Sequence, residues 1–169
     1  MKNLFLLITG IFVIISCKEP RPLSSTNPVD WDKRTVKKEI TDSLSYGSTF
    51  LSVYSQIYVR NQEEQESLTA TVSLHNPNRK YEIFIDKAVY YNTHGDPIRT
   101  YFDKTISIKP METVQIVIDG IDSEGGTGAN FLFDWKKKIK SNDPIFEAVM
   151  ITNYGQQGIS FVTNGRNIN

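Results

Sequence analysis

The feature that most constrains this chain is a stretch of strict alternation at residues 67–76, SLTATVSLHN. Leu68, Ala70, Val72 and Leu74 fall on one side, and Thr69, Thr71, Ser73 and His75 on the other. Successive side chains of a strand point to opposite faces, so a period of two predicts one buried and one wet face. The stretch stops at Asn76-Pro77-Asn78, where proline has no N–H to continue a ladder. One half-buried strand needs partners, and the rest of the chain offers them.

Residues 50–60 are rich in the β-branched and aromatic types that strands favour. Residues 81–91 lead to a turn at His94-Gly95-Asp96-Pro97, and 98–102 should pair back as a hairpin. Residues 105–108 are short and end at Lys109-Pro110. Val114, Ile116 and Ile118 alternate within 113–119, and 131–135 form a further short apolar segment. Residues 144–152, PIFEAVMIT, are apolar on both faces, as a central strand would be. Residues 158–163 close the domain. Roughly eight or nine strands separated by turns predict an all-β fold, an antiparallel β-sandwich of immunoglobulin-like or fibronectin-like type. No helical stretch long enough for a βαβ crossover separates them.

Lys+Arg and Asp+Glu number 19 each, so no global field draws the chain to nucleic acid. Cys17 is the one cysteine, which rules out an internal disulfide. Met1 to Asn3 make a short positive start, and an apolar run, LFLLITGIFVIISC, follows at 4–17. It is too short for a membrane span of about 20 residues, and it has the charged-then-apolar plan of a secretory signal peptide.

The run ends in Ile14-Ile15-Ser16-Cys17, which resembles the lipobox of bacterial lipoproteins. That resemblance implies cleavage before Cys17, a diacylglycerol on its sulfur and an acyl group such as palmitate on its new amino terminus. Two or more acyl chains anchor a protein stably, at about 0.8 kcal/mol per buried methylene. The expected organisation is a signal peptide at 1–16, lipidated cysteine and tether at 17–45, and a sandwich domain at 46–169. Lys18 follows the cysteine where an inner-membrane retention signal would have Asp, which favours an outer-membrane address in the cell envelope. Residues 18–28 are polar and rich in Pro and Ser, too poor in apolar groups to order themselves. Val36, Ile40 and Leu44 recur every four residues and Asp32 offers a cap, so 29–45 reads as a short docked helix or as continued linker.

The words DSEGGTGANF at 122–131 and EAVMITNYGQQGISF at 147–161, followed by Gly165-Arg166, resemble a bacterial family known as domain of unknown function 3124. The likeness covers about 46–168 and brings no activity and no functional residues with it. A shorter stretch at 72–90, VSLHNPNRKYEIFIDKAVY, is similar to the strand–NPN–strand pattern of late-embryogenesis-abundant type β-sandwiches. It supports the sandwich by analogy.

Nothing in the sequence points to catalysis. His75 and His94 lie on a polar strand face and in a turn, with no serine and orienting acid set beside either. No metal-ligand spacing is present and no cofactor is implied. The best binding candidate is the loop at 120–130, GIDSEGGTGAN, with Asp122, Gly125, Gly126, Gly128 and Asn130. Its glycines let a ligand approach the main chain, or serve a demanding turn. Asp119, Asp122 and Glu124 are oxygen ligands of the kind calcium takes. Gln156, Gln157 and Arg166 would join this surface if the strand ends meet.

Glu147 interrupts PIFEAVMI and faces inward or outward according to strand phase. Lys136, Lys137, Lys138 and Lys140 read as a solvated loop or as a contact for anionic lipid. The expected function is a membrane-anchored lipoprotein acting as a binding or interaction module, with a protein partner in the envelope. The alternative is a small-ligand, carbohydrate or calcium binder.

Overall fold

The computed structural model describes residues 23, 29–38, 40–41 and 43–168. The expected signal peptide and Cys17 lie outside them, as do residues 18–22, 24–28, 39 and 42 of the expected tether. The described chain runs α1 (Trp31–Arg34), β1 (Leu44–Ser52), β2 (Gln56–Tyr58), β3 (Gln65–Ser67), β4 (Thr69–His75), β5 (Ile83–Tyr91), β6 (Pro97–Phe102), β7 (Ile106–Ile108), β8 (Thr113–Ile118), β9 (Asn130–Lys138), β10 (Ile145–Tyr154), β11 (Gln157–Asn164) and β12 (Arg166–Asn167). One sheet has the order β12-β1-β9-β5-β6, with β7 also on β5. The other is β11-β10-β4-β8, and β2 and β3 form a small ribbon. Every pairing among them is antiparallel. The protein is an all-β sandwich.

The predicted alternation sets the core. Leu68, Ala70, Val72 and Leu74 are all fully buried, and so are Ile116 and Ile118 on β8 beside them. From the facing sheet come Ile85, Phe131 and Phe133. A stack of rings joins the layers: Tyr90 to Phe131 at 4.7 Å, Phe131 to Phe133 at 5.2 Å, and Phe133 to Phe146 of the second sheet at 4.4 Å. Such contacts add to burial the electrostatic preference of offset rings.

Twelve strands rather than eight or nine are present among the described residues. The excess over nine comes from short pieces, β2, β3 and β12, too brief to show a period. The neighbours β4–β8 and β5–β9 match the inner pairs of an immunoglobulin sandwich. The outer places are exchanged. First strand β1 lies on β9, where the last immunoglobulin strand sits, and β10 lies on β4, where the first one sits. Both the β9–β10 connection and the path from β1 to β4 cross between the sheets.

The amino-terminal segment is neither free linker nor the helix its four-residue stripe suggested. Among its described residues the helix is Trp31–Arg34, capped by Asp30 rather than Asp32, with the Lys33 N–H on its carboxylate at 3.3 Å. Beyond it the chain turns extended: Thr35 bridges Ile106, and Val36 N–H donates to the Thr105 carbonyl at 2.9 Å. Trp31 packs on Phe102 with ring centroids 4.6 Å apart, and Arg34 pairs with Glu112 at 2.9 Å. The sandwich thus begins at Leu44, and the residues from Val29 pack on it.

The lysine run is not a loop at its start. Phe131, Phe133, Trp135 and Lys137 keep one strand phase, and all are buried. Lys137 donates to the Ser141 carbonyl and pairs with Asp143 at 3.2 Å, while Lys136 pairs with Asp86 at 2.7 Å. Paired and hydrogen-bonded, these ammonium groups are tolerated inside the fold.

Candidate functional site

The 120–130 loop is held by side chains far away in sequence. Ser55 and Gly126 bond reciprocally, the Gly126 N–H to the Ser55 hydroxyl at 2.8 Å and the Ser55 N–H to the Gly126 carbonyl at 3.1 Å. Thr93 receives the Gly128 N–H on its hydroxyl at 2.9 Å and donates its own N–H to the Gly125 carbonyl at 2.9 Å. Gly126 has φ of 75°, a region L side chains rarely adopt. A Cβ at Gly125 would sit 2.1 Å from the Tyr90 hydroxyl oxygen, and Tyr90 is fully buried. The glycines therefore serve close packing of the loop on its own domain. Asn130 opens β9 opposite Ser52.

Asp122 is not offered to a ligand either. Its side chain is fully buried and meets Arg99 of β6 at 2.9 Å. The same guanidinium reaches Glu124 at 2.9 Å and receives support from the Tyr101 hydroxyl at 3.3 Å. Among the described residues, no group of three or more His, Cys, Asp or Glu could hold a metal ion. Burial pushes the Tyr101 phenol up to about 12, with Arg99 pulling the other way and Asp122 and Glu124 adding to the rise. Tyr90 is raised still further, chiefly by burial.

An alkaline transition follows. Tyrosines of the unfolded chain ionise near pH 10, before Tyr101 in the fold. The stabilisation is complete below about pH 10 and is lost as pH rises through about 12, by on the order of 2 kcal/mol for Tyr101. Denaturant midpoints measured from neutral to alkaline pH should fall in that window. The fall should be shallower in Tyr101→Phe.

The strand ends do not bring the remaining candidates together. Gln157 opposes Tyr154 and Asn164 opposes Glu147, so Gln157 sits at one end of the β10–β11 pair and Arg166 lies past its other end, on the facing sheet. Gln156 and Gln157 are exposed at the β10–β11 turn, beyond the last β10–β4 pair at Ile151 and Thr69. Arg166 is exposed and pairs with Phe50 at the β1 edge.

Strand phase settles Glu147. Phe146, Ala148 and Met150 point into the core, so Glu147 lies on the outer face, where His75 Nε2 approaches its carboxylate at 3.3 Å. The same phase puts Ile145, Val149 and Ile151 outward, 49%, 37% and 51% exposed. Val162 of β11, 55% exposed, stands directly opposite Val149. The sequence reading missed this apolar outer face, although a strand apolar on both sides was its signal. β11 pairs on one side with β10 and is otherwise an edge.

A family model described as Protein of unknown function (DUF3124) matches residues 46–168. The chain belongs to this family. Of the two words that carried the resemblance, one is the locked loop and the other the exposed β10–β11 hairpin. A search of curated proteins returns no match. Among solved structures, the crystal structure of Thermotoga maritima 1070 is similar, with a TM-score of 0.45 and 8% identity over 75% of this chain and 96% of that one.

Proposed function

We propose that the protein is a non-catalytic interaction module of the bacterial cell envelope. It is anchored through an acylated Cys17 and binds a protein partner along β10 and β11. The observation that carries the reading is the outward row of Ile145, Val149, Ile151 and Val162. Val149, Ile151 and Val162 adjoin, with Ile145 beyond Glu147 on the same face, and apolar surface left together in water marks interaction sites. β11, QGISFVTN, has no charge and no proline, the devices that protect solitary edges. An extended segment of the partner fits it by strand addition, with main-chain bonds giving affinity and the apolar row giving specificity. The lipobox at 14–17 supports the anchor.

The test is a photo-crosslinking residue placed at Ile151, and at His94 as a control, in the native cells. A discrete protein adduct from position 151, lost on Val162→Lys, is the expected result. Equal adducts from both positions, or only glycan and lipid adducts from 151, would sink the partner reading. The intact mass of protein extracted from membranes reads the acylation of Cys17 separately.

A further inference from the structure

The end of the sandwich opposite the glycine loop is built from three connections: 76–82, 109–112 and 139–144. Strand pairings place them together, since His75 opposes both Thr113 and Ile145, and Ile83 opposes both Ile108 and Lys137. Two buried asparagines weld them. The Asn76 amide donates to the carbonyls of Tyr81 at 2.8 Å, Ile108 at 2.9 Å and Lys109 at 3.0 Å. Asn78 exchanges hydrogen bonds with Asn142 at 2.7 and 3.0 Å, and its carbonyl accepts the Met111 N–H at 3.1 Å.

Each connection carries an exposed apolar side chain beside cations. Tyr81, 37% exposed, follows Arg79 and Lys80. Met111, 64% exposed, follows Lys109 and Pro110. Ile139, 61% exposed, stands between Lys138 and Lys140. The Met111 turn is closed by the Glu112 N–H on the Lys109 carbonyl at 3.0 Å, with Met111 at φ of 60°. Proline second and a positive φ third make a type II turn, whose third place belongs to glycine or asparagine. A strained methionine at an exposed tip has no packing reason, and strain of this kind gathers at functional surfaces.

The charge of this end is one-sided. Glu112 and Asp143 are already engaged by Arg34 and Lys137, and Glu82 shares the hollow beneath α1 with Asp30, Lys33, Arg34 and Lys109. Among the described residues, Arg79, Lys80 and Lys140 enter no ion pair, while Lys109 stands near Glu112. The chain also arrives here from its apolar amino terminus: Leu44 opposes Lys138, and Ser43 shares a hollow with Tyr81, Lys138, Ile139 and Lys140.

We propose that this end docks on an anionic lipid bilayer, with Tyr81, Met111 and Ile139 entering the headgroup–acyl boundary and the cations on lipid phosphates. Apolar tips flanked by lysines suit that boundary, where an apolar tip is buried while the charged heads stay wet. A soluble polyanion would use the cations and leave the three tips in water. The inference rests on the anchored reading above. Docked in this way, the β10–β11 turn points away from the membrane, and Ile151 lies toward that turn while Ile145 lies near the docked end.

The test uses the full acylated chain carrying Ile139→Cys, labelled with bimane, in vesicles of phosphatidylcholine with or without phosphatidylglycerol. Bromines on the lipid chains should quench the label at 139 only when phosphatidylglycerol is present. A label at Asp96→Cys, in the turn at the far end, should stay unquenched. The pair Lys80→Glu and Lys140→Glu should lower the ratio of docked to undocked protein about tenfold or more. Retention on pure phosphatidylcholine vesicles reads the anchor independently of docking. Equal quenching at 139 and 96, or quenching indifferent to phosphatidylglycerol and to the lysine changes, would overturn the proposal. So would protection of position 139 by heparin without any quenching by lipid bromines.

Discussion

A Gly125→Ala chain is expected to be about 3 kcal/mol less stable than its parent, from overpacking and a disturbed buried hydrogen bond together. The added methyl meets the Tyr90 hydroxyl at 2.1 Å and the Ala129 Cβ at 2.8 Å. Neither neighbour can retreat. Tyr90 is stacked on Phe131 and its hydroxyl donates to the Val53 carbonyl at 3.1 Å, while Ala129 is fully buried. Chemical denaturation followed by circular dichroism measures the loss. Because the shortest clash is with oxygen, Tyr90→Phe should be less harmful in the Gly125→Ala background than in the parent. An unchanged denaturation midpoint for Gly125→Ala would mean that the loop is not packed as described.

The second large effect is Arg99→Met, which should cost about 3–5 kcal/mol by leaving a buried carboxylate without its cation. Asp122 is the residue stranded, since its side chain has no exposure at all. Glu124, 60% exposed, holds the same guanidinium, yet Glu124→Gln should change stability by only about 0.5 kcal/mol because exposed pairs are worth little. Adding Asp122→Asn to Arg99→Met should recover part of the loss, as removing both charges is gentler than removing one. If the double variant is no better than Arg99→Met, the cost lies in the aliphatic packing of Arg99 and not in its charge.

These predictions separate what local pattern reveals from what only the fold reveals. The buried face of β4 could be read outright, because alternation is a local property and the sheet obeys it residue by residue. The glycine loop could be recognised as unusual but not explained. Its partners Ser55, Thr93 and Arg99 are 71, 35 and 23 residues away from the atoms they hold. No short-range signal announces them. Lys137 kept the phase of Phe131, Phe133 and Trp135, yet its charge disguised a strand position as loop. The outer face of β10 was visible as a strand apolar on both sides. Which side faced water depended on β4 and β11, and so Glu147 had no assignment until the sheet was assembled. Two signals at the welded end lay in plain view. One is Met at the third place of a Lys-Pro-Met-Glu turn, and the other is a pair of asparagines two apart around a proline.

The order in which the chain enters the sandwich also governs how it bears force. A pull from the amino-terminal side bears on α1 and the residues after it, whose contacts include the Trp31–Phe102 rings, the Arg34–Glu112 ion pair, the bridge at Thr35 and the Val36 N–H on Thr105. The next element in line is β1, matched to β9 over nine consecutive pairs from Leu44 to Ser52. Ladder bonds run across the strands, so tension along β1 loads them together in shear and not one after another. The segment from α1 to β1 would yield first as a fuse, releasing about a dozen residues, roughly 40 Å fully extended, while the sandwich behind it stays closed.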